Sequence, residues 1–342
     1  MIKSFVKELS LRFNYLKNKK LNSIYFGGGT PSLLSINELD LLFDSLHRYF
    51  EFDNLTEITF EVNPDDVSKK NLDAWKKFGI NRLSIGIQSF NDEELKWMNR
   101  AHEAKQSVNS VLLAQDTGFS NITIDLIYGS KFQTIDSWQE TLKKAVNLKT
   151  QHISSYNLTI ENKTVLGSRN ENGIEPAVNE NLSSKQFLIM VELLKQSGFI
   201  QYEVSNFGKS GYFAQHNSNY WLQKEYLGIG PSAHSFNGLS RQWNIKNNNA
   251  YIKALEQNLI HFEREELSIK DRYNEYVLTR LRTIWGCDLS EIENLFGEAI
   301  TSHFLKMIDK QQFHFNNNNG VYTLKGESLL FADGIASDFF LE

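Results

Sequence analysis

The chain has 342 residues, 36 basic against 41 acidic side chains for a net charge of −5, and a single cysteine, Cys287. One cysteine excludes an intramolecular disulfide framework and any cysteine-rich zinc or iron–sulfur site built from this sequence alone. The balanced charge argues against nonspecific nucleic-acid binding, which needs a basic surface.

The 41% hydrophobic fraction supports a packed core, and there is no apolar run of membrane-spanning length or signal-peptide core. No stable membrane insertion and a cytoplasmic location are therefore expected.

The first predicted element is an amphipathic helix in which Ile2, Phe5, Val6, Leu9, Phe13 and Leu16 recur at three- and four-residue steps. Ser23–Phe26 is a short β-rich run stopped by three glycines. Helix is predicted over 37–50, and strand over Glu57–Val62. Ser68 to Phe78 reads as helix with Gly79 as its C-cap. Arg82–Gln88, Asn121–Ile127 and His152–Leu158 read as further strands. Helices from Asp92, from Lys105 to Thr117, and from Trp138 to Leu148 separate them.

Strands alternating with helices predict a parallel sheet of βα units, either open or closed as a barrel. Gly28, Gly29, Thr30, Glu61, Gln88 and Asp125 then fall at or just beyond the C-terminal ends of strands, the rim where parallel α/β folds bind ligands. Beyond residue 160 the pattern changes. A Gly/Asn-rich loop from Gly167 to Gly173 leads into a helix over 183–197 and an aromatic, glycine-rich stretch from Tyr202 to Phe236. Helical periodicity returns over 271–283, 289–296 and 299–311, followed by a hairpin around Asn316–Gly320. This reads as a winged-helix-like C-terminal module. The divisions expected are the βα units over 1–165, a region of changed pattern over 166–265, and the C-terminal module over 266–342.

Gly27-Gly28-Gly29-Thr30-Pro31 lacks a P-loop lysine, so it does not cradle a nucleotide triphosphate. It is either a tight strand-to-helix turn or a place where a ligand touches backbone closely. Glu61 can accept hydrogen bonds from ribose hydroxyls, Gln88 can donate and accept, Arg100 can pair with a carboxylate, and Asp125 adds an acceptor. A ligand with an amino group, a carboxylate and a ribose would use all of them. His216, followed by Tyr220-Trp221, sets an imidazole beside aromatic surface. It reads either as an axial heme ligand or as a hydrogen-bonding residue in a closing loop. His234 is a weaker candidate for the same role.

YFGGGTPS (25–32), EVNP (61–64), RLSIGIQSF (82–90) and DLIYG (125–129) resemble the radical SAM family around oxygen-independent coproporphyrinogen III oxidase. YNLTIE (156–161), HNSNYW (216–221) and YLGIGPSAHSF (226–236) are similar to its shorter HemW subgroup. The resemblance implies an α/β fold, a partial (β/α)6-type barrel with its first strand missing, and the winged-helix-like α+β module. It implies that Gly28, Gly29 and Thr30 bind the amino group of S-adenosylmethionine (SAM). Glu61, Gln88, Arg100 and Asp125 match the other SAM contacts, and Thr159 falls more loosely near the adenine. His216 matches the segment implicated in heme binding.

The implied function is a heme chaperone that binds heme and SAM and delivers heme to an acceptor protein. The alternatives are radical-SAM oxidative decarboxylation of coproporphyrinogen III and a cluster-less binding protein. Such proteins hold a [4Fe–4S] cluster on a Cys-x3-Cys-x2-Cys loop ahead of the first helix, and that segment does not occur in this sequence. The expectation is an N-terminally shortened chain lacking roughly 30 to 40 residues of the barrel's opening. As written it should assemble no stable cluster, which is expected only in the full-length protein. It should also run no SAM-derived radical chemistry.

Overall fold

A computed structural model describes residues 1–53, 56–161 and 164–342. The chain forms two compact units. One comprises residues 25–33 and 58–214, the other residues 1–24, 34–57 and 215–342.

A seven-stranded sheet runs in the order β1 (Ser23–Phe26), β2 (Glu57–Val62), β3 (Arg82–Gln88), β4 (Ile122–Tyr128), β5 (His152–Asn157), β7 (Asn206–Gly208), β6 (Ile200–Glu203). β2 through β5 are parallel neighbours, and β5–β7–β6 continue antiparallel. The sheet curls as a half-barrel.

Period-2 alternation sorts the strand residues. Phe60, Leu83, Ile85, Ile87, Ile122, Ile124, Leu126 and Ile153 lie on the helix-facing side and are almost completely buried. Phe60 packs between Phe26 and Trp75 at ring distances of 5.6 and 5.2 Å. The opposite face carries Tyr25, Glu61, Arg82, Ser84, Gln88, Thr123, Asp125, His152 and Ser154. A sheet apolar on one side and polar on the other presents a ready-made polar lining on its inner face.

The helices begin where side chains cap them. The first, α1, spans Ile2–Arg12. Ser35 and Glu38 form a capping box for α2 (Ile36–Tyr49), and Ser68 caps α3 (Lys69–Lys77). Asn91 caps the short α4 (Asp92–Trp97). α5 (Ala104–Asp116) and α6 (Ile135–Asn147) follow, the latter burying Trp138, Leu142 and Ala145.

Two segments differ from expectation. The Gly167–Gly173 loop is in part helix α7 (Val165–Glu171), because Thr164 Oγ1 accepts from the Gly167 N–H at 2.9 Å and supplies the start signal. Beyond α8 (Glu180–Gln196), the aromatic stretch holds β6, β7, helix α9 (Gln215–Trp221) and β8 (His234–Phe236). His216 therefore sits on a helix and not in a loop. β9 (Ser240–Asn244), α10 (Asn248–Glu256) and the wholly exposed β10 (Phe262–Glu266) follow, with β10–β9–β8 forming an antiparallel sheet.

The C-terminal module holds α11 (Ile269–Leu281), β11 (Cys287–Asp288), α12 (Leu289–Phe296), α13 (Glu298–Gln311), β12 (Phe315–Asn318), β13 (Val321–Leu324) and α14 (Ala332–Ser337). The predicted hairpin is β12–β13, and β11 adds a third strand, in the order β11–β13–β12. Phe304, Phe315, Phe339 and Tyr322 form its aromatic core. Among the described residues no helix is long and apolar enough to cross a membrane.

In the unit that contains α1, a buried polar cluster fixes that helix. Glu8 is fully buried. It accepts from Arg12 at 3.0 Å, Asn244 Nδ2 at 2.7 Å, the Gly230 N–H at 2.9 Å and the Tyr251 hydroxyl at 2.5 Å. Arg12 in turn donates to Asn244, Ser235 and Gln242. The apolar periodicity of α1 is real, but its most buried side chains include this ion pair.

Candidate functional site

The polar lining of the sheet gathers around Glu61. Its Oε1 accepts from the Tyr25 hydroxyl at 2.5 Å, and its Oε2 accepts from the Gly28 N–H at 3.2 Å. Burial, then the Glu61 charge, pushes the Tyr25 phenol far above its usual range, so it stays a donor. A Cβ on Gly27 would lie 2.3 Å from the Tyr25 ring and 2.6 Å from Glu61 Oε1. Only glycine lets the turn pass this close. Gly28 takes φ +76°, and a Cβ on Gly28 or Gly29 would meet nothing within 4 Å. The turn thus has one packed side and one open side, with Gly29 and Thr30 on exposed backbone.

Asp125 sits two strands over. Ser84 Oγ lies 3.3 Å from both of its carboxylate oxygens, and Ser154 also hydrogen-bonds it. Burial, reinforced by the Glu61 charge, raises its pKa to about 7 against the opposing pull of Arg82 and the serines. Beneath this layer Arg82 donates to Thr123, Thr123 meets His152 Nδ1 at 3.2 Å, and His152 Nε2 meets the Tyr202 hydroxyl at 3.0 Å. Burial holds His152 well below its usual pKa, hence neutral. This row is a hydrogen-bonded floor.

Gln88 and Arg100 form a second group. The strand register slips between Ile85 and Gln88, and Gln88 adopts φ +65° while the Ser89 N–H reaches the Ile87 carbonyl at 2.8 Å. A non-glycine residue in that three-residue turn is strained, and the turn re-aims its side chain. Arg100 donates to Asn63 Oδ1 at 2.9 Å and to the Gly86 carbonyl at 3.1 Å. A Cβ on Gly86 would be 3.0 Å from Gln88 Nε2 and 3.2 Å from Arg100. Gly86 is therefore where the two side chains meet.

Of the sequence-predicted residues, the structure brings Gly28, Glu61 and Asp125 to one polar face and joins Gln88 to Arg100 at Gly86. Asp125 acts electrostatically on Arg100. Tyr25, Ser84 and Ser154 complete the set and escaped sequence reasoning. Their signal was parity, since they occupy the same alternate positions as Glu61 and Asp125. Chemically the face offers the Glu61 carboxylate and the Asp125 carboxyl for an ammonium or for hydroxyls, backbone donors at the turn, and a guanidinium for a carboxylate.

His216 belongs to the other unit. Its Nδ1 lies 3.0 Å from Ser23 Oγ and its Nε2 lies 3.3 Å from the Tyr220 hydroxyl, with the two rings edge-on at 4.9 Å. The Gln215 and His216 N–H groups both donate to the Glu57 carboxylate. His234 stacks on Trp243 at 6.0 Å instead.

Residues 6–145 match the Radical SAM superfamily. The fold is that of Escherichia coli coproporphyrinogen III oxidase HemN, a radical SAM enzyme. The TM-score is 0.84 over 99% of this chain and 82% of that one, at 23% identity. Sheet, rim and superfamily match together define a radical SAM-type half-barrel. Heme chaperone HemW of Lactococcus lactis is 32% identical over 92% of this chain and 86% of its own length. HemW of Bacillus subtilis is 31% identical over 91% and 83%. The chain belongs to the HemW family.

The superfamily implies SAM and a [4Fe–4S] cluster. The open Gly28–Gly29 turn, with no atom where side chains would stand, fits SAM. The cluster does not fit the residues of this sequence. Its one cysteine, Cys287, is completely buried on β11, and burial pushes its thiol pKa far up.

Proposed function

We propose that this chain binds heme and SAM and serves as a heme chaperone that hands heme to an acceptor protein. In this reading Gly28, Gly29 and Thr30 receive the amino group of SAM at the open side of the turn. Glu61 and Asp125 accept from its ammonium and ribose hydroxyls, and Gln88 and Arg100 hold its carboxylate end. Tyr25 and Ser84, which already donate to Glu61 and Asp125, would hold those two side chains in place for SAM.

The observation that carries the heme reading is the setting of His216. An Nδ1–H donated to Ser23 Oγ leaves the Nε2 lone pair for iron, and the Tyr220 hydroxyl holds that nitrogen until a ligand displaces it. The surrounding tyrosines supply surface for a macrocycle. The HemW relatives, named as heme chaperones, support the same reading.

The test is a hemin titration followed at the Soret band. Wild type should saturate at one equivalent, and His216→Ala should lose the shifted band and most of the affinity. Full hemin binding by His216→Ala would overturn the ligand assignment. Anaerobic conversion of coproporphyrinogen III to the divinyl product would overturn the chaperone reading in favour of the decarboxylase.

A further inference from the structure

A pocket of about 290 Å³ lies in the same unit as His216. Its walls are aromatic, formed by Tyr220, Trp221, Tyr226 and Phe236, and its charged end is Arg241 with Glu275. The rings form a continuous wall. His216 meets Tyr220 at 4.9 Å, Tyr220 meets Tyr226 at 4.5 Å, and Tyr226 meets Phe236 at 6.2 Å. The indole N–H of Trp221 is buried without an acceptor. Arg241 spends one nitrogen on Glu275, at 2.8 Å, and lies beside the Tyr226 hydroxyl. Its side chain is 34% exposed, so the guanidinium remains reachable from solvent.

We propose that this pocket recognises the carboxylate-bearing edge of the macrocycle, with Arg241 as the carboxylate receptor. The inference rests on the heme-binding reading of His216 and adds a second anchor to it. Two facts select the ligand class. A guanidinium is a planar fork that takes a carboxylate through two parallel hydrogen bonds. Aromatic walls select a flat apolar body, and a volume at the small end for ligand pockets admits an edge and not a whole macrocycle. In the ligand-free protein Glu275 keeps the guanidinium compensated, since a half-buried charge left unpaired is destabilising. Burial, outweighing the Arg241 charge, raises the Glu275 carboxyl, so keeping it ionised there costs more than in water.

The probes are hemin, metal-free protoporphyrin IX, which cannot use an iron ligand, and protoporphyrin dimethyl ester, whose carboxylates are blocked. Wild type should bind protoporphyrin more tightly than the ester. Arg241→Gln should weaken protoporphyrin about tenfold, the worth of a charge-assisted pair, and leave the ester unchanged. Glu275→Gln should bind protoporphyrin at least as tightly as wild type, because a competitor is removed. His216→Ala should lose far more hemin affinity than protoporphyrin affinity.

If Arg241→Gln binds protoporphyrin as wild type does, the inference is wrong. If Glu275→Gln loses as much as Arg241→Gln, the pair merely ties β9 to α11 and the inference is again wrong. If hemin binding is saturable and depends on His216 while Arg241→Gln is silent, only this inference falls. If wild type binds neither hemin nor protoporphyrin, the heme reading falls as well.

Discussion

Glu57, the first residue of β2, caps the helix that carries His216. Its carboxylate accepts from the Gln215 N–H at 2.8 Å and from the His216 N–H at 3.0 Å. The carboxylate is buried and meets the helix at its positive end. Two free amide hydrogens at the start of α9 are thereby satisfied from another element.

Replacing this cap tests whether the helix sets the imidazole. Glu57→Ala should lower unfolding free energy by about 1–3 kcal/mol, since two N–H groups at the start of α9 lose a charged, buried acceptor. Urea denaturation measures this. Hemin affinity should fall with it, and an unchanged midpoint would show that α9 is held otherwise.

The raised pKa of Asp125 gives a pH signature. Its folded value is about 7, above the ordinary 3.8. The unfolded chain therefore releases this proton between about pH 4 and 7 while the folded chain keeps it. Stability contributed by the neutral acid is lost across that window as pH rises. Asp125→Asn should be more stable than wild type at pH 8 by up to about 4 kcal/mol, with the difference vanishing near pH 4. Melting temperatures at the two pH values check this, and a pH-independent difference would contradict it.

Glycines of the first turn should not respond alike. Gly27→Ala forces a methyl group against Tyr25 and Glu61 and should lower stability by about 1–3 kcal/mol, as overpacking does. Gly29→Ala meets open space. It should melt like wild type while weakening SAM binding, measured by calorimetry, because the ligand's side of the turn is now occupied.

Arg12→Ala should be the most damaging of these changes. It strips Glu8 of its guanidinium in a fully buried setting, and losing one partner of a buried ion pair costs about 3–5 kcal/mol. A denaturation midpoint near that of wild type would mean that Tyr251 and Asn244 compensate alone.

Much of the half-barrel was legible because β2, β3 and β4 each bury an alternating apolar face, which Ile153 continues on β5. Phe60, Ile85, Ile124 and Ile153 report strand and facing together. Glu61 and Asp125 stood out as carboxylates in such runs. Tyr25, Ser84 and Ser154 did not, since a tyrosine or serine in a strand is unremarkable until its neighbours across the sheet are known. Three further features depend on partners distant in sequence. β6 and β7 are short antiparallel additions, β10 is exposed along its whole length and pairs through its backbone, and the interior side of α1 mixes Ile2 and Leu9 with Glu8 and Arg12. Glu8 and Arg12 stand four apart on a helix, a spacing shared by exposed and buried ion pairs alike. Only the residues from 228 to 251 reveal that they lie inside.

That separation has a consequence for biosynthesis. Glu8 and Tyr251 are 243 positions apart. At roughly 5 to 20 residues per second, the first helix exists for about 10 to 50 s before its last buried partner is even polymerised. During that interval its charged pair must stay hydrated and its apolar stripe uncovered. An early helix is thus among the last to be seated, which leaves the nascent chain open to capture by chaperones or by other chains until residues 228 to 251 arrive.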